Sequence, residues 1–385
     1  TKIAKTICDL IEKDADVDIR LCAPTGKAAS RISESIQDAL SFLEEKGTDK
    51  NILEKVPKEA TTIHRLLGYR FGKTTFNHNQ DNPLLCDYVF VDEASMIDLP
   101  LMAKLIDALN INTRLVLVGD KDQLASVEAG AVFGDICKKY EKTGIVGRLT
   151  EVFRQQKGSS IPRLSEHINN MNYKDTMELI NEESDDIRYY NSLNINKVIK
   201  IALEGYSDYI KGLKKKNENM SELYKSFNKF RVLCSIRKGP YGVENINRLI
   251  IRDIYDHPSK EYFHGMPIMI IKNDYSLGIF NGDTALVKEE DGKAYAQFFD
   301  KTGETKKHLL SLIPEWRSAF ALTVHKSQGS EFDDVMTLLT GSKGFLTKEI
   351  LYTALTRTKK NFILFSEPET LEECVSSKIS RYSNL

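Results

Sequence analysis

The sequence predicts an α/β protein built on two parallel sheets, and three observations predict it. First, two apolar runs stop abruptly at acids: Y-V-F-V at 88–91 before Asp92 and Glu93, and L-V-L-V at 115–118 before Gly119 and Asp120. Second, I-R-L-C at 19–22 runs through A-P-T-G-K into a helical pattern, the strand-to-helix step of a βαβ unit. Third, short buried-strand runs return after residue 230, at 230–235, 319–324, 335–339 and 362–365. Strands that read as continuous apolar runs are covered on both faces, which is the signature of a parallel sheet.

The elements follow in order. The chain opens in a helical pattern with Ile3, Ile7, Leu10 and Ile11 on one face. After the strand at 19–22, a helix is expected over 28–42, and Pro24 and Thr25 stand at its start, where backbone N–H groups favour an anion. Thr62 suits a helix cap and Leu66 and Leu67 a core, which leaves His64 for contact with a phosphate or a base. Between 69 and 83 aromatic and polar residues alternate around a Gly-Lys turn, predicting a projecting hairpin; Tyr69, Phe71 and Phe76 suit base stacking and hairpin packing equally. The stretch 148–222 is polar and reads as helical. Short strands at 267–274, 282–287 and 294–299, with Asn-Gly and Asp-Gly turns, predict a small β-barrel inserted in the second α/β domain.

With 385 residues and 41% hydrophobic content the chain supports two to four structural units. No apolar stretch approaches the roughly 18 to 20 residues that span a bilayer, so no membrane partner is expected. The six cysteines are scattered singly and read as buried thiols of a cytoplasmic protein, with no zinc or iron–sulfur spacing. A net charge of −1 gives no bulk attraction to nucleic acid, so a polyanion must be met by local patches.

Acids at the carboxyl end of a buried strand point to nucleotide chemistry. Asp92 suits Mg²⁺, directly or through water, and Glu93 suits polarising the water that attacks a γ-phosphate; a pair of acids at a helix start is the structural alternative. Gln123 carries a donor and an acceptor and suits the γ-phosphate or its water. A phosphoryl transition state also calls for cations, and Arg154 and Arg357 are the candidates, against the ordinary reading of an arginine as surface charge. Thr323, His325, Lys326 and Ser327 form a polar loop after a buried strand, suited to phosphate contacts, and Gly329 and Glu331 continue the same loop. A phosphate-binding loop G-x-x-x-x-G-K-[ST] does not occur in the 385 residues. The segment ending in Gly26-Lys27 fails as one, because Leu21 stands where the first glycine belongs and Ala28 where the Mg²⁺-binding hydroxyl belongs. The expectation is that Thr1 follows closely on such a loop, and that these residues without it do not hydrolyse ATP.

Taken together, C-A-P-T-G-K-A-A, V-D-E-A-S, G-D-K-D-Q-L, F-R-Q, L-T-V-H-K-S-Q-G-S-E-F and Y-T-A-L-T-R resemble, in order, motifs Ia to VI of superfamily 1 helicases. Within that superfamily, the segments 119–136 and 273–283 resemble the RecD family, the alpha subunits of exodeoxyribonuclease V. The resemblance implies two RecA-like P-loop NTPase domains with ATP and Mg²⁺ as cofactors, and 5′-to-3′ motion on single-stranded DNA at duplex ends. It implies domain 1A over 1–147 with a 1B hairpin near 69–83, domain 2A over 148–262 and 314–385, and an SH3-like domain 2B over 263–313. It implies that Pro24, Thr25, His64, Thr323, His325, Lys326 and Ser327 touch DNA, while Gln123, Arg154, Gly329, Glu331 and Arg357 touch nucleotide. RecB and RecC are the implied partners, and no nuclease carboxylate cluster is seen here. A stand-alone helicase of the same type and a non-catalytic ATP-binding subunit are the alternatives.

Overall fold

A computed structural model describes residues 2–69, 75–125, 131–149, 155, 158–182, 184–215, 219–255, 261–274, 276–300, 303, 305–342 and 344–378. The chain divides into two compact units, with the break between Arg148 and Leu149.

The first unit contains α1 (Lys2–Lys13), β1 (Ile19–Ala23), α2 (Gly26–Glu45), α3 (Lys50–Lys55), β2 (Thr61–Thr62), α4 (Ile63–Leu66), β3 (Tyr88–Val91), α5 (Leu99–Asp107), β4 (Arg114–Leu117) and α6 (Val132–Tyr140). Its four strands lie in the order β2-β1-β3-β4, all parallel. Alternation along the strands explains why both faces are covered. Ile19, Leu21, Ala23 and Phe90 enter one core with α1, α2 and α3, while Cys22, Val89 and Val91 enter another with α4, α5 and α6. Each face therefore needs an apolar helix stripe, and α1 supplies Ala4, Ile7, Cys8 and Ile11. Capping fixes the helix starts: Thr25 Oγ1 accepts from Ala28 N (3.2 Å), Thr62 Oγ1 from Arg65 N (3.2 Å) and Asp98 Oδ1 from Leu101 N (2.7 Å). At the expected hairpin, Tyr69 and Phe76 form an antiparallel bridge; Phe71 lies outside the described residues.

The second unit contains α7 (Ile161–Asn169), α8 (Tyr173–Asn181), β5 (Ile187–Tyr190), α9 (Ile195–Gly205), α10 (Ser207–Leu213), α11 (Met220–Lys229), β6 (Phe230–Cys234) and α12 (Val243–Ile254). It continues with β7 (Pro267–Ile270), β8 (Thr284–Glu290), β9 (Lys293–Phe299), β10 (Thr305–Leu309), β11 (Trp316–Ser318), β12 (Ala321–Thr323), β13 (Phe332–Leu338), α13 (Lys348–Thr356), β14 (Thr358–Phe365) and α14 (Pro368–Ser376). Strands β12-β6-β13-β14-β5 form a parallel sheet, and β10-β9-β8-β7-β11 an antiparallel one. Two readings change here. The stretch 148–222 is not helical throughout, since Ile187–Tyr190 adds an edge strand to β14; its single buried position, Ile187, left little apolar signal. The inserted sheet also extends past 313, because Trp316–Ser318 pairs with β7 before the chain re-enters the parallel sheet at Ala321. An aromatic core of Tyr206, Tyr209, Phe227, Phe230 and Phe320 lies against this re-entry.

Of the six cysteines, Cys8, Cys22, Cys234 and Cys374 are buried and Cys86 and Cys137 half-buried, all as free thiols. Among the described residues no helix is long and apolar enough to cross a membrane.

Candidate functional site

Parallel strands deliver the residues that follow them to one edge of the sheet, and in the first unit that edge carries every candidate. Read across it, β2 leads to His64, β1 to Pro24 and Thr25, β3 to Asp92 and Glu93, and β4 to the loop holding Gln123. Ala23 pairs with Thr62, so Pro24–Thr25 and His64 leave from neighbouring strand ends. The Thr25 hydroxyl oxygen caps α2. The His64 ring packs edge-on against Tyr69 and Phe76 at 6.2 and 5.7 Å between centroids. Burial lowers its pKa, and the nearby Asp98 opposes that only in part, so at neutral pH the ring is an uncharged, stacking surface.

The acids stand where the ladder ends. Asp92 N donates to Cys22 O (3.1 Å) and Val118 N to Val91 O (2.8 Å), and then Ala94 N donates to Val118 O (2.9 Å). Between them Glu93 takes a left-handed conformation (φ 53°, ψ 38°), uncommon for a residue with a side chain, while its N–H donates to Asp92 Oδ1 at 2.8 Å. Burial raises the Asp92 pKa, with the Glu93 N–H and the Arg31 charge pulling the other way. A carboxylate destabilised by burial is a hard oxygen ligand suited to a divalent cation. Gly119 draws the β4 exit in, since a Cβ there would lie 3.1 Å from both Ala94 N and Ser95 N. Beyond it, Asp120 folds its carboxylate back on Asp122 N (3.0 Å) and Gln123 Nε2 (3.0 Å), which fixes the Gln123 amide. The Ser95 hydroxyl is buried in this turn without a hydrogen-bond partner among the described residues.

The second sheet distributes its candidates differently. Thr323 and the 3₁₀ turn His325–Ser327 follow the carboxyl end of β12, and Thr323 Oγ1 accepts from Lys326 N at 3.3 Å. Ser327 is fully buried and its hydroxyl donates to Val324 O (2.7 Å), so it shapes the turn. Gly329 (φ 68°) and Glu331 precede β13, and Arg357 precedes β14, at the amino ends of those strands. Since Thr323 is level with Cys234 and Asp334 with Phe230, the segment 324–331 runs back along the sheet by four strand steps, roughly 13 Å. One short segment thus joins the two ends.

Arg357 is 2% exposed. Its Nε donates to Thr353 O and its guanidinium to Ser330 O, both at 3.3 Å, at the carboxyl end of α13 where the helix dipole favours a cation. Glu331 pairs with Lys359 at 3.4 Å. Arg154 lies outside the described residues, but its neighbour Gln155 donates Nε2 to Thr358 O at 3.0 Å. Gln155 Oε1, Ser330 Oγ and Thr358 Oγ1 are buried without partners among the described residues, an unusual concentration beside one arginine. These three were absent from the expected site residues, although Gln155 and Ser330 stand in motifs quoted above and Thr358 directly follows one; only the fold shows that they converge.

Residues 1–129 match the AAA domain family and residues 318–365 the UvrD-like helicase C-terminal domain. The RecBCD enzyme subunit RecD of Haemophilus influenzae is 35% identical over 97% of this chain and 65% of its own length. The protein of the same description from Mycolicibacterium smegmatis is 33% identical over 93% and 64%. That from Buchnera aphidicola of Acyrthosiphon pisum is 30% identical over 95% and 68%. The chain thus spans about two thirds of the length of these relatives.

Proposed function

The chain belongs to the RecD family, and on that footing we propose that it carries the motor of an ATP-dependent 5′-to-3′ DNA helicase acting at duplex ends as a cytoplasmic partner of RecB and RecC. In this reading the first unit is RecA-like domain 1A with a 1B hairpin at 69–83. The second is RecA-like domain 2A with the antiparallel sheet as an SH3-like 2B.

The order of strand ends across the first sheet carries the reading. Strand-contact candidates (His64, Pro24, Thr25) stand at one side of a single edge and nucleotide candidates (Asp92, Glu93, Gln123) at the other, so a shift at one is felt by the other through two neighbouring strands. Bound nucleotide would supply a phosphoanhydride whose hydrolysis releases free energy. Asp92 would hold its Mg²⁺ and Glu93 would orient and deprotonate the attacking water. Gln123, fixed by Asp120, would sense the γ-phosphate. Arg154 and Arg357 would offset the charge spread over the transferred group, with Gly329 and Glu331 beside them. Thr323, His325 and Lys326 would grip the strand, and the segment 324–331 would link that grip to Arg357. The hydroxyls and amide oxygen beside Arg357 that lack partners among the described residues support a polar ligand there, since buried polar atoms are ordinarily paired.

Unwinding of duplexes with a 5′ or a 3′ single-stranded tail by the full-length protein, alone and with RecB and RecC, tests the reading. Opening only of 5′-tailed duplexes is expected, and opening only of 3′-tailed ones overturns the polarity. Capture of RecB and RecC in a pulldown is expected, and unwinding without any association with them would favour a stand-alone helicase.

A further inference from the structure

Lys326 Nζ donates to Asn281 Oδ1 at 2.7 Å, joining the turn after β12 to a turn of the antiparallel sheet 45 residues earlier in the chain. We infer that Asn281 is a positioning residue for Lys326, which makes the inserted sheet part of the strand grip; the inference rests on the proposed role of Lys326 in binding DNA.

The turn does not need the Asn281 side chain for its own fold. Asp283 N donates to Phe280 O (3.0 Å) and Gly282 has φ 96°, a type II turn in which the position of Asn281 accepts most residues. The loop is tied instead by its other polar groups. Asn273 Oδ1 accepts from Asn281 N (2.7 Å), Asp283 Oδ2 from Phe280 N (2.8 Å), and Asp274 Oδ1 from Ser276 N and Leu277 N (2.9 and 3.1 Å). The Asn281 amide is directed outward, onto the lysine.

An amide is the acceptor that suits this task. Lys326 sits beside Arg317 along a groove that also holds Trp316 and Thr323, and partial desolvation there together with the neighbouring cation lowers its pKa from the ordinary lysine value. A carboxylate would orient the ammonium but neutralise it. The amide oxygen takes one of three N–H donors and leaves two, with the whole charge, for a phosphate.

The base of the insert is anchored to match. Three successive carbonyls on the way from β11 to β12 accept from buried side chains: Ala319 O from Arg231, Phe320 O from the Tyr206 hydroxyl, and Ala321 O from Asn247 Nδ2 at 2.9 Å. Asn247 Oδ1 also accepts from Ala321 N (3.0 Å), completing the edge strand as a neighbouring strand would. Tyr209 OH donates to Gly265 O (2.7 Å) at the insert's other connection. The insert is therefore held at its root, and Asn281 meets Lys326 from a fixed platform.

The test is binding of the full-length protein to a fluorescent oligo(dT), by anisotropy over a range of salt, for Lys326→Ala, Asn281→Ala and the double variant. Lys326→Ala is expected to weaken binding about threefold to tenfold and to lower the salt slope by about 0.7, the loss of one phosphate contact on a single strand. Asn281→Ala alone should reproduce at least half of both losses, and the double variant should match Lys326→Ala alone. Unchanged binding by Lys326→Ala would overturn the strand role of that lysine. A normal Lys326→Ala effect with an inert or independently additive Asn281→Ala would leave that role standing and overturn the positioning.

Discussion

The first parallel sheet gathers all its candidate residues at its carboxyl edge, whereas the second splits them between its two ends and joins them by the segment 324–331. The difference extends to how charge is held. Asp92 and Glu93 stand on a strained turn at a strand end, with Glu93 left-handed and Asp92 destabilised by burial. Arg357 is enclosed and donates to two main-chain carbonyls. The first arrangement stores cost at the site, and the second spends the side chain on the fold as well as on a ligand. Substitutions should therefore separate activity from stability in the first unit and couple them in the second.

The largest effect is expected at Arg357. Arg357→Ala should slow DNA-stimulated ATP turnover by about 10³-fold or more. It should also lower stability by about 1–3 kcal/mol, because the buried Ser330 carbonyl loses its guanidinium donor and Thr353 O, which also accepts from the Thr356 hydroxyl, loses one of its donors. Steady-state ATPase and urea melts check both, and loss of activity at unchanged stability would break the coupling. Gly119→Ala should come next. Its Cβ meets the backbone nitrogens of Ala94 and Ser95, which cannot rotate away, so the acid-bearing turn must shift. A displacement of that kind costs on the order of 10²-fold in turnover, with at most about 1–3 kcal/mol in stability. Near-normal turnover would show that the β4 exit does not set the geometry of Asp92 and Glu93.

The smallest effect carries the opposite sign and bears on the stored cost directly. Burial raises the Asp92 pKa in the folded state, so the stability this group contributes is complete below its ordinary value of 3.8 and is lost as pH rises through the raised value. Above that ordinary value the unfolded state ionises more readily than the folded one, so the half-buried carboxyl group costs the wild-type protein stability at neutral pH. Asp92→Asn should then melt higher than wild type at pH 7, with the gap closing as the pH falls toward 4, while ATP turnover is lost. A variant less stable than wild type at pH 7 would contradict the account of Asp92.

How far the sequence reveals this arrangement depends on how local each feature is. Strand Tyr88–Val91 and the acids after it are legible, because an apolar run and its abrupt end are written in consecutive residues. The capping role of Thr62 is legible for the same reason. Ile187–Tyr190 is not, since an edge strand with one buried position has almost no periodic signal. Nor is the enclosure of Arg357: a motif names the arginine, but the carbonyl of Ser330 that receives it is 27 residues away. The Asn281–Lys326 contact and the convergence of Gln155, Ser330 and Thr358 are likewise long-range products of packing, which single-residue chemistry does not encode. Composition was similarly uninformative about nucleic acid, as a net charge of −1 hides a locally cationic groove.

The most direct test of the motor reading is Glu93→Gln in the full-length protein, assayed together for DNA-stimulated ATP hydrolysis, unwinding of a 5′-tailed duplex and binding of oligo(dT). Loss of the general base should lower hydrolysis by about 10²-fold to 10⁴-fold and abolish unwinding. Strand binding and thermal stability should remain at wild-type levels. Unwinding that proceeds unchanged in Glu93→Gln would contradict the assignment of the β3 strand end as the hydrolytic centre, and with it the proposal that this chain carries a DNA motor.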